Sequence, residues 1–237
     1  MNLYETAWWY LGNILEYGEQ MLPCMLMGVV GFLLLRPFRH KRLQGKGLVS
    51  SAIRELALLI FVMFCAGLAS LTLFPANLWA YVTDWLIHHQ KWAMVWSDRT
   101  LSSFYPSWEE TIAGAAYLPD ILQPFQEIRR AMRSLSPWLM FMLLGNIGMF
   151  VPLGFFPALL WRGWRWWKAV LLGFSCSCTI ELIQFFIGRS TDIDDVILNT
   201  TGALVGFALY ALCRAALPRL TAKFHCTPKG EVSIWTN

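Results

Sequence analysis

Charged side chains are scarce in this chain. They make up 14% of its 237 residues, against 57% that are apolar or aromatic. A soluble domain carries about 25% charged residues, so a water-covered globule is a poor fit. Six cysteines are too few for a secreted disulfide scaffold. Four scattered histidines suggest no zinc site, and the adjacent pair His88 and His89 would diverge on a helix. There is no Walker A phosphate loop, no HExxH pair and no GxSxG elbow. No Lys or Arg precedes Arg36, so the first apolar stretch lacks the basic n-region of a signal peptide. The alternating segments of about ten residues that mark a membrane β-barrel are missing. Two halves with matching broken helices, the mark of many transporters, are missing too.

What is abundant is apolar and aromatic surface, with 13 Trp and 16 Phe, which excludes a disordered chain. The apolar residues come in blocks. A membrane helix needs about 20 of them, and five stretches qualify: Met21–Leu35, Glu55–Phe74, Pro137–Leu160, Ala169–Ile187 and Val196–Cys213. The first is short unless the Leu11–Tyr17 turns join it. The expected fold is therefore all-α, an integral membrane bundle of about five transmembrane helices.

Basic residues orient it. Arg36, Arg39, Lys41, Arg42, Lys46 and Arg54 follow span one, Arg162, Arg165 and Lys168 follow span three, and Arg214, Arg219, Lys223 and Lys229 lie in the tail. Lys and Arg concentrate in short cytoplasmic loops, which predicts the N-terminus outside and the C-terminus inside. The chain divides into a two-span region (1–75), an extracytoplasmic loop (76–136), a three-span core (137–213) and a cytoplasmic tail (214–237). In the loop, Leu78, Val82, Trp85, Leu86, Trp92 and Trp96 recur at helical spacing, which predicts an interfacial helix lying on the bundle. The run Trp161–Lys168, with four Trp and three cations, reads as a headgroup anchor rather than a nucleic-acid surface. Five cysteines fall inside spans and Cys226 in the tail, so they read as small buried thiols.

Ionisable groups inside a span are costly and point to function. Ser177, Glu181 and Gln184 share one face of span four, with Glu181 about 9 Å below its outer end at 1.5 Å per residue. Thr191 and Asp194 match a helix-start signal. Asp195, Asn199, Gly202 and Gly206 continue as one stripe of span five, and Gly202-x-x-x-Gly206 permits close helix approach. Span three adds Asn146 and Phe150 on one face, with Pro152, Gly154 and Pro157; Pro152 predicts a kink.

These motifs resemble the VanZ-like family of bacterial membrane proteins, over somewhat more than a third of the chain. The matching pattern is Asn146-x-x-x-Phe150-x-Pro152-x-Gly154-x-x-Pro157, then Ser177-x-x-x-Glu181-x-x-Gln184, then Arg189, Asp192, Asp195, Asn199, Gly202 and Gly206. Upstream, Gln123-Pro124-Phe125-x-x-Ile128 resembles the family's Pro-Phe segment. The first two spans resemble it in hydropathy and position. The resemblance implies a multi-pass protein of the bacterial cytoplasmic membrane, with some relatives linked to reduced sensitivity to teicoplanin-type glycopeptides. It implies no cofactor and no established reaction.

Two function classes follow. One is a non-enzymatic envelope protein acting on drug access or surface polymers, with the bilayer and cell-wall or lipid-linked molecules, or the glycopeptide itself, as partners. The other is a membrane-embedded enzyme on a lipid-linked or surface substrate. There Glu181 serves as general acid or base, Arg189 grips a phosphate or carboxylate, and Asp192 and Asp195 hold a hard cation. Asn146, Ser177, Gln184 and Asn199 form the accompanying polar cluster, and Phe150, Pro152, Gly154, Gly202 and Gly206 pack the helices. A dedicated metal site is not expected, because Arg189 can neutralise one of the carboxylates itself.

Overall fold

The computed structural model describes residues 3–74, 108–114, 119, 122–187 and 191–228. The helices are α1 (Leu3–Gln44), α2 (Ala52–Leu73), α3 (Trp108–Gly114), α4 (Gln126–Ser134), α5 (Pro137–Leu160), α6 (Trp166–Phe186), α7 (Ile193–Ala216) and α8 (Pro218–Ala222). Five are long and apolar enough to cross a membrane: α2, α5, α6, α7 and the Gln20–Gln44 part of α1. The architecture is an all-α membrane bundle. The expected interfacial helix around Leu78–Trp96 lies outside the described residues.

α5 coincides with the apolar block that announced it, whereas α1 and α7 outrun theirs at both ends and α6 starts before its own. α1 is continuous from Leu3 through Pro23 and Pro37 to Gln44, so the Leu11–Tyr17 turns do join the first span. α6 begins at Trp166, and α7 runs from Ile193 to Ala216. Backbone hydrogen bonding does not stop where side chains turn polar, because every peptide group near lipid still needs a partner. α5 begins with Pro137 at a position where a missing N–H costs nothing. It then runs unbroken as helix through Pro152 and Pro157.

Three glycines fix how α5 meets α7. A Cβ on Gly154 would overlap the Ala203 carbonyl oxygen, one on Gly202 that of Ile147, and one on Gly206 that of Val151. The backbones therefore touch, as small-residue membrane interfaces allow. Gly173 brings α6 against the Ala203 methyl group. α1 and α2 form a separate hairpin, closed where Gly28 faces Ala66 and Gly67 faces Met21 and Met25. Leu68 of α2 joins the hairpin to the core through Phe150 and Leu153. A second cluster, Ala158, Leu159 and Tyr210, is covered by Trp164, Phe207 and Phe224. Large apolar side chains such as Leu26, Leu34, Leu171, Leu182 and Leu212 remain exposed on the outer surface, where the bilayer is their solvent.

The basic loop after α1 is ordered. It turns at Gly47, whose φ of +65° is in the left-handed region that glycine tolerates. Ser51 then caps α2, accepting from Arg54 N at 3.2 Å. Glu55 is held by Arg39 at 2.9 Å and by the Ser50 hydroxyl at 2.6 Å. The tail is tied to this loop: β1 (Leu48–Val49) pairs antiparallel with β2 (Thr227–Pro228), and Ser51 Oγ donates to the Lys223 carbonyl at 2.8 Å.

Candidate functional site

The polar residues of the three-helix core meet near the Pro137 end of the bundle. Ser177, Glu181 and Gln184 all lie on the buried face of α6. Asn199 of α7 donates through Nδ2 to Ser177 Oγ at 2.9 Å. Gln184 Nε2 reaches across to the Thr72 carbonyl of α2 at 3.0 Å. Asn146 of α5 donates to Asp195 of α7. Glu181 is 7% exposed, and its Oε2 accepts from the Asp192 backbone N–H at 3.0 Å. Each partner satisfies a group that lipid would leave orphaned.

The aspartates of the α6–α7 turn divide the work. The expected start signal placed Thr191 at the head of α7, but the cap is Asp192, whose Oδ1 accepts from Asp194 N at 2.9 Å. Thr191 instead donates to the Glu181 carbonyl at 3.5 Å. A carboxylate also matches the positive end of the helix dipole better than a hydroxyl does. Burial raises the Asp192 carboxyl above its ordinary range, and the charges of Asp194 and Glu127 add to this, against the lowering effect of its hydrogen bond from Asp194 N.

Asp194 is fully buried, at 0% exposure, and it serves another helix. Its two carboxylate oxygens accept from the backbone N–H of Phe125 and, at 3.1 Å, of Ile128. These are orphan donors at the start of α4, which has no side-chain cap of its own. Phe125 sits in the left-handed region, with φ of 67°. The Pro-Phe segment singled out in the sequence is thus the entry to α4, and α7 holds it. The sequence reading gave Asp194 no part in the site, because nothing in local spacing shows that its side chain points toward residues 125–128.

Glu181, Gln184, Asn146, Asp195 and Asn199 line one cavity of about 1170 Å³. Tyr10 and Tyr17 of α1 and Phe141 of α5 stand opposite. The Tyr10 and Tyr17 rings lie 5.4 Å and 6.4 Å from Phe141, and Tyr10 Oη donates to the Pro137 carbonyl at 3.2 Å. Phe150 also lines the cavity, while Pro152 and Gly154 lie further along α5, with Gly154 against Ala203 of α7. Gly202 and Gly206 serve the helix contact described above. Arg189 lies outside the described residues. Among the described residues, no three His, Cys, Asp or Glu side chains converge as a metal site would require.

The family model VanZ/LLP1 matches residues 61–214. The match takes in α2 from Phe61 onward and all of α5, α6 and most of α7. No match to a curated protein or to a solved structure accompanies it.

Proposed function

The chain belongs to the VanZ-like family, and from that premise we propose that it acts in the bacterial envelope by binding rather than by bond chemistry. In this reading it holds an envelope molecule in the cavity beside α5, α6 and α7. The consequence is lowered sensitivity to teicoplanin-type glycopeptides, through drug access or surface composition. The observation that carries the reading is that the polar side chains facing the cavity, apart from the unpartnered Asn199 Oδ1, already hydrogen-bond one another and nearby backbone. Such a network is rigid, and rigid polar groups beside an apolar wall suit recognition. The basic residues at the Trp161 end support placing that end in the cytoplasm and the cavity toward the outside.

A second reading is favoured by one observation: two carboxylates, Glu181 and Asp195, line the same cavity. In an enzyme Glu181 would move a proton, Arg189 would grip an anionic group, and Asp192 with Asp195 would hold a cation.

One experiment separates the two. The gene is deleted, antibiotic susceptibility is profiled, and the deletion is complemented with Glu181→Gln or Arg189→Lys. Glu181→Gln keeps size and hydrogen bonding but removes the charge. Arg189→Lys keeps the charge but loses the two-pronged donor fork. Binding predicts substantial complementation by Glu181→Gln at normal expression. Complete loss with Glu181→Gln, in a protein that accumulates and folds, would favour catalysis instead. A deletion with unchanged glycopeptide susceptibility removes the resistance role.

A further inference from the structure

The cavity wall contains glycines that neither packing nor backbone conformation requires. Gly145 and Gly148 are three apart on α5 and share a face, and Gly18 lies across from them on α1. All three line the cavity. A Cβ built on any of them meets nothing within 4 Å. Gly154, Gly202 and Gly206 are the opposite case, where a Cβ would strike backbone. The three cavity glycines have ordinary helical φ, since the positive-φ glycines among the described residues are Gly47 and Gly163. A glycine inside a helix costs about 1 kcal/mol relative to alanine. What these three contribute is open volume, and the resulting cavity slightly exceeds the roughly 300–1,000 Å³ of small-molecule sites.

Its chemistry is divided. Ile14, Met21, Leu144 and Met149 supply an apolar wall. Across from it, Asp195 and Asn199 stand one turn apart on α7. Asp195 takes a hydrogen bond from the Asn146 amide and has no ion pair among the described residues. A carboxylate at membrane depth is stabilised by a donor-bearing partner and destabilised by a second anion.

We infer that the cavity takes a membrane amphiphile, with a hydrocarbon chain along the Gly18, Gly145 and Gly148 wall and a head of N–H or O–H donors at Asp195. Ammonium and sugar hydroxyl heads share this chemistry; a purely anionic head does not. The inference rests on the cavity being the binding site and adds the class of its ligand.

The test uses delipidated full-length protein in detergent and three probe lipids: phosphatidylethanolamine, diglucosyl diacylglycerol and phosphatidylmethanol, whose anionic head carries no N–H or O–H donor. Retained lipid is read by native mass spectrometry and stability by thermal unfolding. The expected result is retention and a Tm rise of several degrees with one or both of the first two lipids, and neither with phosphatidylmethanol. Which of the two binds tells ammonium from hydroxyl. Gly148→Leu obstructs the wall along which the chain would lie and is expected to abolish the shift while unfolding like the parent protein without lipid. Gly18→Leu repeats the test from the other wall should the first variant fail to accumulate. Asp195→Asn is expected to erase the preference among head groups. Equal shifts with all three lipids, or a full shift in both leucine variants, would overturn the ligand class. Complementation keeps the two proposals apart. A Gly148→Leu protein that loses lipid but still restores the deletion strain leaves the ligand standing and overturns the functional reading. No lipid retention by the parent protein, with Gly148→Leu failing to restore the strain, does the reverse.

Discussion

At the scale of single residues, the three aspartates of the α6–α7 turn show how one short acidic run takes on separate tasks. Asp192 caps its own helix, Asp195 meets Asn146, and Asp194 holds the first turn of α4. Removing the Asp194 carboxylate leaves two partly buried N–H groups without their acceptor, a loss of about 1 kcal/mol. Asp194→Ala is therefore expected to lower the thermal midpoint and to speed amide exchange at residues 125–130, read by hydrogen exchange. Unchanged exchange there would show that the cap is not what holds α4. His225 gives a pH signature at the opposite end of the bundle. Burial, reinforced by Arg162, lowers its imidazole below the ordinary 6.5. The folded state thus binds less proton there than the unfolded state, so its stabilising contribution is complete above that value and falls away as pH drops through the lowered one. Thermal unfolding from about pH 8 to about pH 5 should show this decline, and His225→Gln should flatten part of it.

At the scale of helices, the α5–α7 contact carries the core. A methyl group on Gly206 would collide with the Val151 carbonyl, which belongs to backbone and cannot swing aside. Gly206→Ala is expected to cost about 1–3 kcal/mol, the usual penalty of overpacking. Gly31 of α1 is the control, since a Cβ there meets nothing within 4 Å. Gly31→Ala should stabilise its helix by about 0.5–1 kcal/mol. Thermal unfolding of the two variants side by side checks the contrast, and equal effects would mean that α5 and α7 do not touch as described. α1 differs from the core helices: it is joined to them through α2 and, at its first turns, through the rings of Trp9, Tyr10 and Tyr17 against Trp138 and Phe141. That arrangement leaves the space between α1 and α5 that becomes the cavity.

At the scale of the whole molecule, the two ends of the bundle are chemically unlike. One gathers carboxylates and amides beneath α4, while the other gathers Arg39, Arg54, Arg162 and Arg214 around the paired loop and tail. The charge rule for short loops predicts that the basic end lies inside. A thiol introduced by Ser103→Cys should accordingly react with an impermeant reagent added to intact cells, and one introduced by Gly47→Cys should not. The reverse pattern in folded protein would invert the orientation.

Composition and length alone were enough for the membrane class and for the five spans found among the described residues, because hydrocarbon thickness and the cost of buried charge act on them directly. The sequence also determined the family, since the spacing of Asn146, Glu181, Gln184, Asp195 and Asn199 is a property of the chain. Helical periodicity placed Ser177, Glu181 and Gln184 on one face without any knowledge of neighbours. What periodicity cannot carry is the identity of the partner across a helix gap. That Gln184 reaches the Thr72 carbonyl, that Asp194 serves α4 rather than α7, and that Gly154, Gly202 and Gly206 touch backbone were decided by tertiary packing. So was the cavity, because Gly145 and Gly148 look in sequence like any helix-packing glycines. Only the position of α1 shows that the space beside them is open.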